Sequence, residues 1–179
     1  MDKTMNIFVC ASQKGGSGKT TLTAHLAVAA AAEGGDVAII DTDPQGTLSG
    51  WWNRREREDV RAVNASVDQL TDALDQLAAA GFSQVFIDTP PAITQRIARV
   101  LAVADLVIIP VKPSPNDLEA VGATVDQARA AGRAHLAVVN EGKGSSRLTL
   151  QATAALSQYG EVASVIIGDR VAFPGAMIA

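Results

Sequence analysis

A glycine-rich segment near the start of the chain carries residues that could bind phosphate. It reads Ser12-Gln13-Lys14-Gly15-Gly16-Ser17-Gly18-Lys19-Thr20-Thr21, and it stands between a short apolar run and an alanine-rich stretch that extends to Gly34. Glycines let the backbone curl until successive N–H groups point inward, and the N-terminus of a following helix adds partial positive charge. In such a loop Lys19 can contact β- and γ-phosphate oxygens, and the Thr20 hydroxyl can bind Mg²⁺. The segment therefore predicts a phosphate-binding loop.

The loop departs from the general pattern at its start. That pattern has a glycine six residues before the lysine, whereas Gln13 stands there in this sequence and Lys14 follows it. A lysine at position 14 could project away from its own nucleotide and contact a phosphate held by a second subunit. The alternative is an ordinary surface lysine.

Carboxylates follow two further apolar runs. Asp41 and Asp43 lie in the segment 41–46, and Asp88 ends the run that precedes Pro90 and Pro91. At the carboxyl ends of neighbouring strands these groups would face the phosphates, where they could hold Mg²⁺ through water or orient an attacking water. The sequence therefore predicts a magnesium site, which consists of Thr20, Asp41, Asp43 and Asp88.

The elements that position these residues follow from hydrophobic patterning. Short apolar runs, typical of strands buried on both faces, occur at residues 7–10, 37–40, 85–87, 106–109 and 136–139. Between them, apolar residues recur every three or four positions, which predicts helices over 67–77, 118–128 and 148–159. This alternation predicts an α/β fold: a doubly wound, mostly parallel sheet with helices on both faces and ligands beyond the carboxyl ends of the strands. The phosphate-binding loop after the first strand makes it a fold of the P-loop NTPase type.

Composition limits the classes of protein that the chain can belong to. Its 179 residues are 47% apolar and 19% charged, which excludes a disordered or fibrous chain and predicts a single domain over 1–179. The single cysteine, Cys10, excludes an intramolecular disulfide and favours the cytoplasm. No apolar run reaches the roughly 18 residues of a membrane span. A net charge of −4 does not favour polyanions, so any nucleic-acid contact needs a local basic patch.

Four segments together resemble the ParA-type partition ATPases of the ParA/MinD family, and most closely the small ParF-like members. They are the phosphate-binding loop with its extra lysine and residues 41–46, 88–91 and 104–117. The resemblance covers nearly the whole chain. It implies a deviant Walker A ATPase that needs ATP and Mg²⁺, hydrolyses ATP slowly and forms an ATP-sandwich dimer.

The same resemblance implies roles for individual residues. Lys14 would cross the dimer interface, Lys19 would bind phosphate, and Asp43 would position the hydrolytic water, so these three are the predicted catalytic residues. The predicted nucleotide contacts are Lys14, Gly15, Gly16, Ser17, Gly18, Lys19, Thr20, Thr21, Pro113 and Asn140, the last of them against adenine. For Pro113 and Asn140 the alternatives are a turn and a strand-end cap.

Partners are also implied. Family members bind DNA non-specifically as ATP-bound dimers, and a ParB-like adaptor stimulates hydrolysis while plasmids, chromosomes or other cargo are positioned. The resemblance thus implies a cytoplasmic homodimer, nucleoid-associated when ATP is bound, with no membrane partner. Arg147 and Arg170 are candidate DNA contacts, or else surface arginines. Two departures concern the DNA surface: Glu141 stands where many relatives are basic, and the sequence ends at Ala179, before a helix that relatives carry.

Two other functions stay open at this point. One is a metabolic P-loop enzyme of the dethiobiotin synthetase-like type, which needs a small-molecule pocket. The other is a MinD-like positioning ATPase, which needs a basic amphipathic C-terminal helix, whereas residues 171–179 contain no lysine or arginine.

Several other conspicuous residues are predicted to have structural roles. The mixed-charge segment 54–61 is predicted to be a solvated helix, and Trp51 and Trp52 beside it are possible interface residues. His25 and His135 are expected on a helix face and at a strand entry, and Cys10 is expected to pack in the core.

Overall fold

The computed structural model describes residues 5–91, 95–144 and 146–178. Within them, seven strands form one sheet in the order β3-β2-β4-β1-β5-β6-β7, and every neighbouring pair is parallel. The strands are β1 (Asn6–Cys10), β2 (Val37–Asp41), β3 (Val60–Asn64), β4 (Gln84–Asp88), β5 (Leu106–Val111), β6 (Ala134–Val139) and β7 (Glu161–Val162).

Helices connect the strands and cover both faces of the sheet. They are α1 (Lys19–Ala32), α2 (Thr47–Arg54), α3 (Leu70–Ala79), α4 (Gln95–Ala102), α5 (Pro115–Ala130), α6 (Arg147–Leu156) and α7 (Ala172–Gly175), and a 3-10 helix (Val67–Gln69) precedes α3. The predicted α/β fold with a doubly wound parallel sheet is confirmed.

Successive residues of the central strands belong to cores on opposite faces. In β1, Val9 packs in the core that contains residues of α3, α4 and α5, whereas Cys10 packs with Leu22 of α1. In β4, Ile87 packs in the same core as Val9, whereas Phe86 packs on the opposite face of the sheet with residues of α1 and α2. Because both faces are covered by helices, the central strands must be apolar at every position, which explains their short unbroken apolar runs.

Strand register brings the candidate site residues to one edge of the sheet. Cys10, the last residue of β1, pairs with Asp88, and Asp88 pairs in turn with Asp41 at the end of β2. All three strands run in the same direction, and their carboxyl ends lie at the same edge of the sheet. The loop after β1 and the carboxylates after β2 and β4 therefore lie side by side.

The segment 54–61 is not the solvated helix that was predicted. Helix α2 ends at Arg54, and β3 begins at Val60, so the prediction is wrong beyond the first residue. Trp51 is only 5% exposed and packs in the core with α1. Trp52 is half-buried, and its Nε1 donates to the carbonyl oxygen of Val60.

The predicted helix over 148–159 is shorter in the structure, where α6 ends at Leu156, and its first apolar residue does not face the core. Leu148 is 59% exposed, whereas Thr149, Ala152 and Leu156 are buried. The Thr149 amide donates to the side chain of Ser146, which caps this helix.

The expected positions of the remaining conspicuous side chains are confirmed. His25 lies on α1, His135 lies on β6, and Cys10 is fully buried. Among the helices that the structure describes, none combines the length and the apolar character needed to cross a bilayer.

Candidate functional site

The loop between β1 and α1 curls back on itself. Gly16 and Gly18 have φ angles of +73° and +93°, a left-handed region that favours glycine. The Nζ of Lys19 donates to the carbonyl oxygen of Lys14 at 3.3 Å, so residues five apart in sequence meet across the loop. A Cβ placed at Gly15 or Gly16 would meet no atom within 4 Å. The loop is therefore an open concavity at the N-terminus of a 14-residue helix, which suits an anion.

Lys19 is the cation at the base of this concavity. Its side chain is buried, with 6% of the residue exposed. Burial lowers the pKa of Lys19, and the negative charges of Asp88 and Asp43 oppose that shift. The ammonium group therefore lies within the electrostatic reach of both carboxylates, and it would gain from a phosphate that replaced the water it has lost.

Thr20 and Asp88 form the closest polar pair of the site. The Thr20 hydroxyl donates to Oδ2 of Asp88 at 2.6 Å, and the Thr89 amide donates to Oδ1 at 3.1 Å. Burial raises the pKa of Asp88 to about 7, while the Thr20 hydrogen bond lowers it and nearby Asp41 raises it further. A fully buried carboxyl beside a second carboxylate and a hydroxyl is a place where a cation would be stabilised.

Asp41 fixes the position of the segment that follows β2. Its Oδ1 accepts a hydrogen bond from the Asp43 amide at 3.1 Å, and its Oδ2 accepts one from the Ser49 amide, in the first turn of α2, at 2.9 Å. Asp43 in turn accepts from the Gln45 amide at 3.0 Å. The segment that carries Asp43 is therefore held to the strand on one side and to α2 on the other.

The donor atoms in this region fit magnesium in kind. The Thr20 hydroxyl and the carboxylates of Asp41, Asp43 and Asp88 offer oxygen only, which is what Mg²⁺ prefers. Within 5–91, 95–144 and 146–178, no group of three or more His, Cys, Asp or Glu side chains could hold a metal by itself. A magnesium ion here would therefore need phosphate oxygens and water as further ligands, which is usual for this ion.

Asn140 contacts the phosphate-binding loop itself. Its Nδ2 donates to the carbonyl oxygen of Ser17 at 2.8 Å, and the residue is 8% exposed. A Cβ at Gly18 would lie 2.2 Å from the same nitrogen, so the glycine and the asparagine fit against each other. The predicted contact of Asn140 with adenine stays a prediction.

An ion pair borders the side of the site near Asn140. The Nζ of Lys112, after β5, lies 2.7 Å from Oε2 of Glu141, after β6. Glu141 has a φ of +54°, uncommon for a residue with a side chain. Pro113, which is half-buried, directly follows Lys112. The ion pair therefore joins the loops that carry the predicted nucleotide contacts Pro113 and Asn140.

The other predicted residues differ in how far they are exposed. Lys14 is half-buried and, within the part of the chain that is described, forms no ion pair. Thr21 is half-buried in the first turn of α1, and Ser17 is 1% exposed. Arg147, at the start of α6, and Arg170 are both exposed. Their predicted contacts stay predictions.

Sequence reasoning missed residues that support the site. The Thr42 hydroxyl donates to the carbonyl oxygen of Asp88 at 2.6 Å. The Ser49 amide donates to Asp41, and Lys112 forms an ion pair with Glu141. Thr42 could have been suspected from its place between two candidate carboxylates. Ser49 and Lys112 carry no local signal, because their partners are distant in sequence.

Comparison with known proteins identifies a family. Residues 8–173 match the CobQ/CobB/MinD/ParA nucleotide binding domain. The chain is 40% identical over 119 residues to the maintenance of carboxysome distribution protein A of Gloeobacter kilaueensis, which covers 64% of this chain and 53% of that protein. It is 33% identical over 152 residues to the chromosome-partitioning ATPase Soj of Thermus thermophilus, which covers 67% of this chain and 61% of that protein. Both matches span less than two thirds of the relative's length.

Solved structures agree on the fold. The septum site-determining protein MinD of Pyrococcus horikoshii, solved with Mg-ADP, superposes with a TM-score of 0.80 at 20% identity over 98% of this chain and 86% of that one. The predicted P-loop NTPase fold is thus confirmed.

Proposed function

Because the chain belongs to the CobQ/CobB/MinD/ParA nucleotide-binding family, we propose that it is a positioning ATPase that hydrolyses ATP slowly. The observation that carries the proposal is the 2.6 Å hydrogen bond between the Thr20 hydroxyl and Asp88. Thr20 directly follows Lys19 at the mouth of the curled loop. This pairing brings the Thr20 hydroxyl and the buried Asp88 carboxyl next to Lys19, the three groups that phosphate and magnesium binding would need.

The chain's own groups would supply binding and charge stabilisation. The amides of Gly15, Gly16 and Gly18 would bind the β-phosphate, and Lys19 would bridge the β- and γ-phosphates. Together they would offset the charge of the transferring phosphoryl group. Asp43 would hold the attacking water in line with the leaving oxygen. The two hydrogen bonds that fix Asp41 support this role, because they hold the Asp43 segment in place.

Thr20 would bind magnesium directly, and Asp41, Asp43 and Asp88 would hold it through water molecules. The ion, when bound there, supplies additional positive charge next to the phosphates.

The second part of the proposal is a dimer. Lys14 makes no ion pair among the described residues, and Gly15 and Gly16 beside it are exposed. This face of the loop is therefore accessible to a second chain, whose γ-phosphate Lys14 would contact. The names of the relatives, which refer to carboxysome distribution and chromosome partitioning, support cargo positioning. A ParB-like adaptor and non-specific DNA would be the partners, as the family resemblance implies.

Size-exclusion chromatography of the Asp43→Ala protein tests the proposal. Without a group to position water, the variant should retain ATP and elute as a dimer with ATP and Mg²⁺, but as a monomer without them. Lys19→Ala is the matched control and should stay monomeric in both conditions. Monomer alone for Asp43→Ala would contradict the sandwich dimer.

The rate of phosphate release tests the partners. Turnover should be slow for the chain alone and should rise with random-sequence DNA plus the protein encoded immediately downstream. ADP formation that requires a small metabolite, and that ignores DNA and adaptor, would favour the metabolic enzyme instead.

A further inference from the structure

A second cavity of about 500 Å³ lies away from the phosphate-binding loop, between α1, the C-terminal part of α2 and the segment around Ala176. Its apolar wall includes Val28 and Trp51, and its polar lining includes Arg54, Arg55 and Arg57. None of the predicted nucleotide or magnesium residues lines it. Nothing in the proposed ATPase cycle uses this cavity.

One arginine in this cavity is buried with a free donor. The Arg55 side chain is 10% exposed, and its guanidinium carbon lies 4.8 Å from the centre of the Trp51 ring. Its Nη2 is paired with Oδ1 of Asp59 at 2.7 Å, whereas its Nη1 has no hydrogen-bond partner among the described residues. A buried donor without an acceptor costs free energy that an anionic ligand would recover.

The charge of the lining also favours an anion. Three arginines and one acidic residue, Glu56, line the cavity, and Asp59 offsets part of the charge of Arg55 from outside the lining. Arg54, Glu56 and Arg57 are exposed, so the mouth of the cavity is continuous with the surface.

A segment of this chain, which includes Ala176 and Met177, forms one wall of the cavity. Trp51 Nε1 donates to the carbonyl oxygen of Ala176 at 3.1 Å, and Arg54 Nη2 donates to that of Met177 at 2.9 Å. Two of the lining side chains, Trp51 and Arg54, thus donate hydrogen bonds to main-chain carbonyl oxygens. A peptide that runs beside this segment would meet apolar surface from Val28 and Trp51 and a free guanidinium donor.

We propose that this cavity binds an acidic side chain, glutamate or aspartate, of a partner protein segment whose neighbouring residues are apolar. The carboxylate would accept a hydrogen bond from Nη1 of Arg55, and the apolar neighbours would pack against Trp51 and Val28. Helix α2 has eight residues, so the cavity lies roughly 12 Å along it from the Asp43 segment. The proposal does not rest on ATP hydrolysis.

Fluorescence anisotropy with a panel of labelled eight-residue peptides tests the proposal. Each peptide carries one central glutamate with varied apolar neighbours, and each has a matched copy with glutamine. The full chain without nucleotide should bind members of the panel. The glutamine copies should bind about tenfold more weakly, because a neutral amide oxygen accepts a weaker hydrogen bond from a guanidinium than a carboxylate does.

Variants locate the binding. Arg55→Met, which keeps the apolar stem over Trp51, should weaken binding of the glutamate peptides about tenfold. Arg61→Met is the matched control, because Arg61 is an exposed arginine on β3 that does not line the cavity. Arg57→Gln at the exposed rim should also weaken binding, and it tests the site even if Arg55→Met fails to fold.

Several outcomes would overturn the proposal. They are no binding by any member of the panel at millimolar concentration, equal binding of the glutamate and glutamine copies, and equal effects of the Arg57 and Arg61 variants. Displacement of the peptides by succinate at millimolar concentration would indicate a small-molecule site, and it would also overturn the proposal of a protein partner.

Discussion

Gly18→Ala is expected to be far more damaging than Gly16→Ala, although the two glycines belong to the same loop. Both residues have positive φ, at +93° and +73°. They differ in their surroundings, because a Cβ at Gly18 would lie 2.2 Å from Nδ2 of Asn140, whereas a Cβ at Gly16 would meet nothing within 4 Å. Gly16→Ala therefore measures the backbone cost alone.

The magnitudes follow from these two terms. A left-handed conformation costs an L-residue about 1–2 kcal/mol, which is the loss of stability expected for Gly16→Ala. At Gly18 the methyl group would also displace Asn140 and break its 2.8 Å hydrogen bond to the carbonyl oxygen of Ser17. Leaving such a buried pair unsatisfied costs about 1–3 kcal/mol more, so the total is roughly 2–5 kcal/mol.

Urea unfolding at equilibrium measures both variants. A double-mutant cycle isolates the contact, because Asn140→Ala removes the group that clashes. In that background Gly18→Ala should cost only about 1–2 kcal/mol, the same as Gly16→Ala. Equal costs for the two glycines, or strict additivity of Gly18→Ala with Asn140→Ala, would refute the packing of Asn140 against the loop.

Three further predictions concern the site and the core. Thr20→Val should abolish the Mg²⁺-dependent part of ATP affinity, measured by titration with and without EDTA, and Thr20→Ser should restore it because the hydroxyl contact with Asp88 returns. Leu156→Ala should lower the free energy of unfolding by about 2–5 kcal/mol, as cavity formation predicts, whereas Leu150→Ala on the same helix should change it by less than about 0.5 kcal/mol because Leu150 is 57% exposed. The Cys10 thiol should react with a disulfide reagent at pH 8 only on unfolding, because burial raises its pKa to about 12, against an opposing hydrogen bond from Thr23, and labelling of the native protein within minutes would contradict this.

The predictable part of the site is local in sequence. The spacing of Lys14, Lys19 and Thr20 behind an apolar run was enough to predict the loop, and the parallel strands brought Asp88 and Asp41 beside it. Backbone conformation and glycine content are determined within a few residues, and the carboxyl ends of parallel strands meet at one edge of a sheet. These features could therefore be derived without tertiary information.

What could not be predicted depends on contacts between distant residues. The Asn140 bond to Ser17 joins positions 123 apart, and Asp41 binds the Ser49 amide only because α2 starts where it does. Strand β3 escaped prediction because it lies at the sheet edge and carries Arg61 and Asn64, so its apolar pattern is weak.

Calorimetric titration of the chain with ATP and Mg²⁺ tests the central claim most directly. The proposed site predicts saturable heat with one ATP per chain, and it predicts that Lys19→Ala loses this signal while keeping its fold. No heat from the unaltered chain, or an unchanged titration for Lys19→Ala, would contradict the assignment of the curled loop as the nucleotide site.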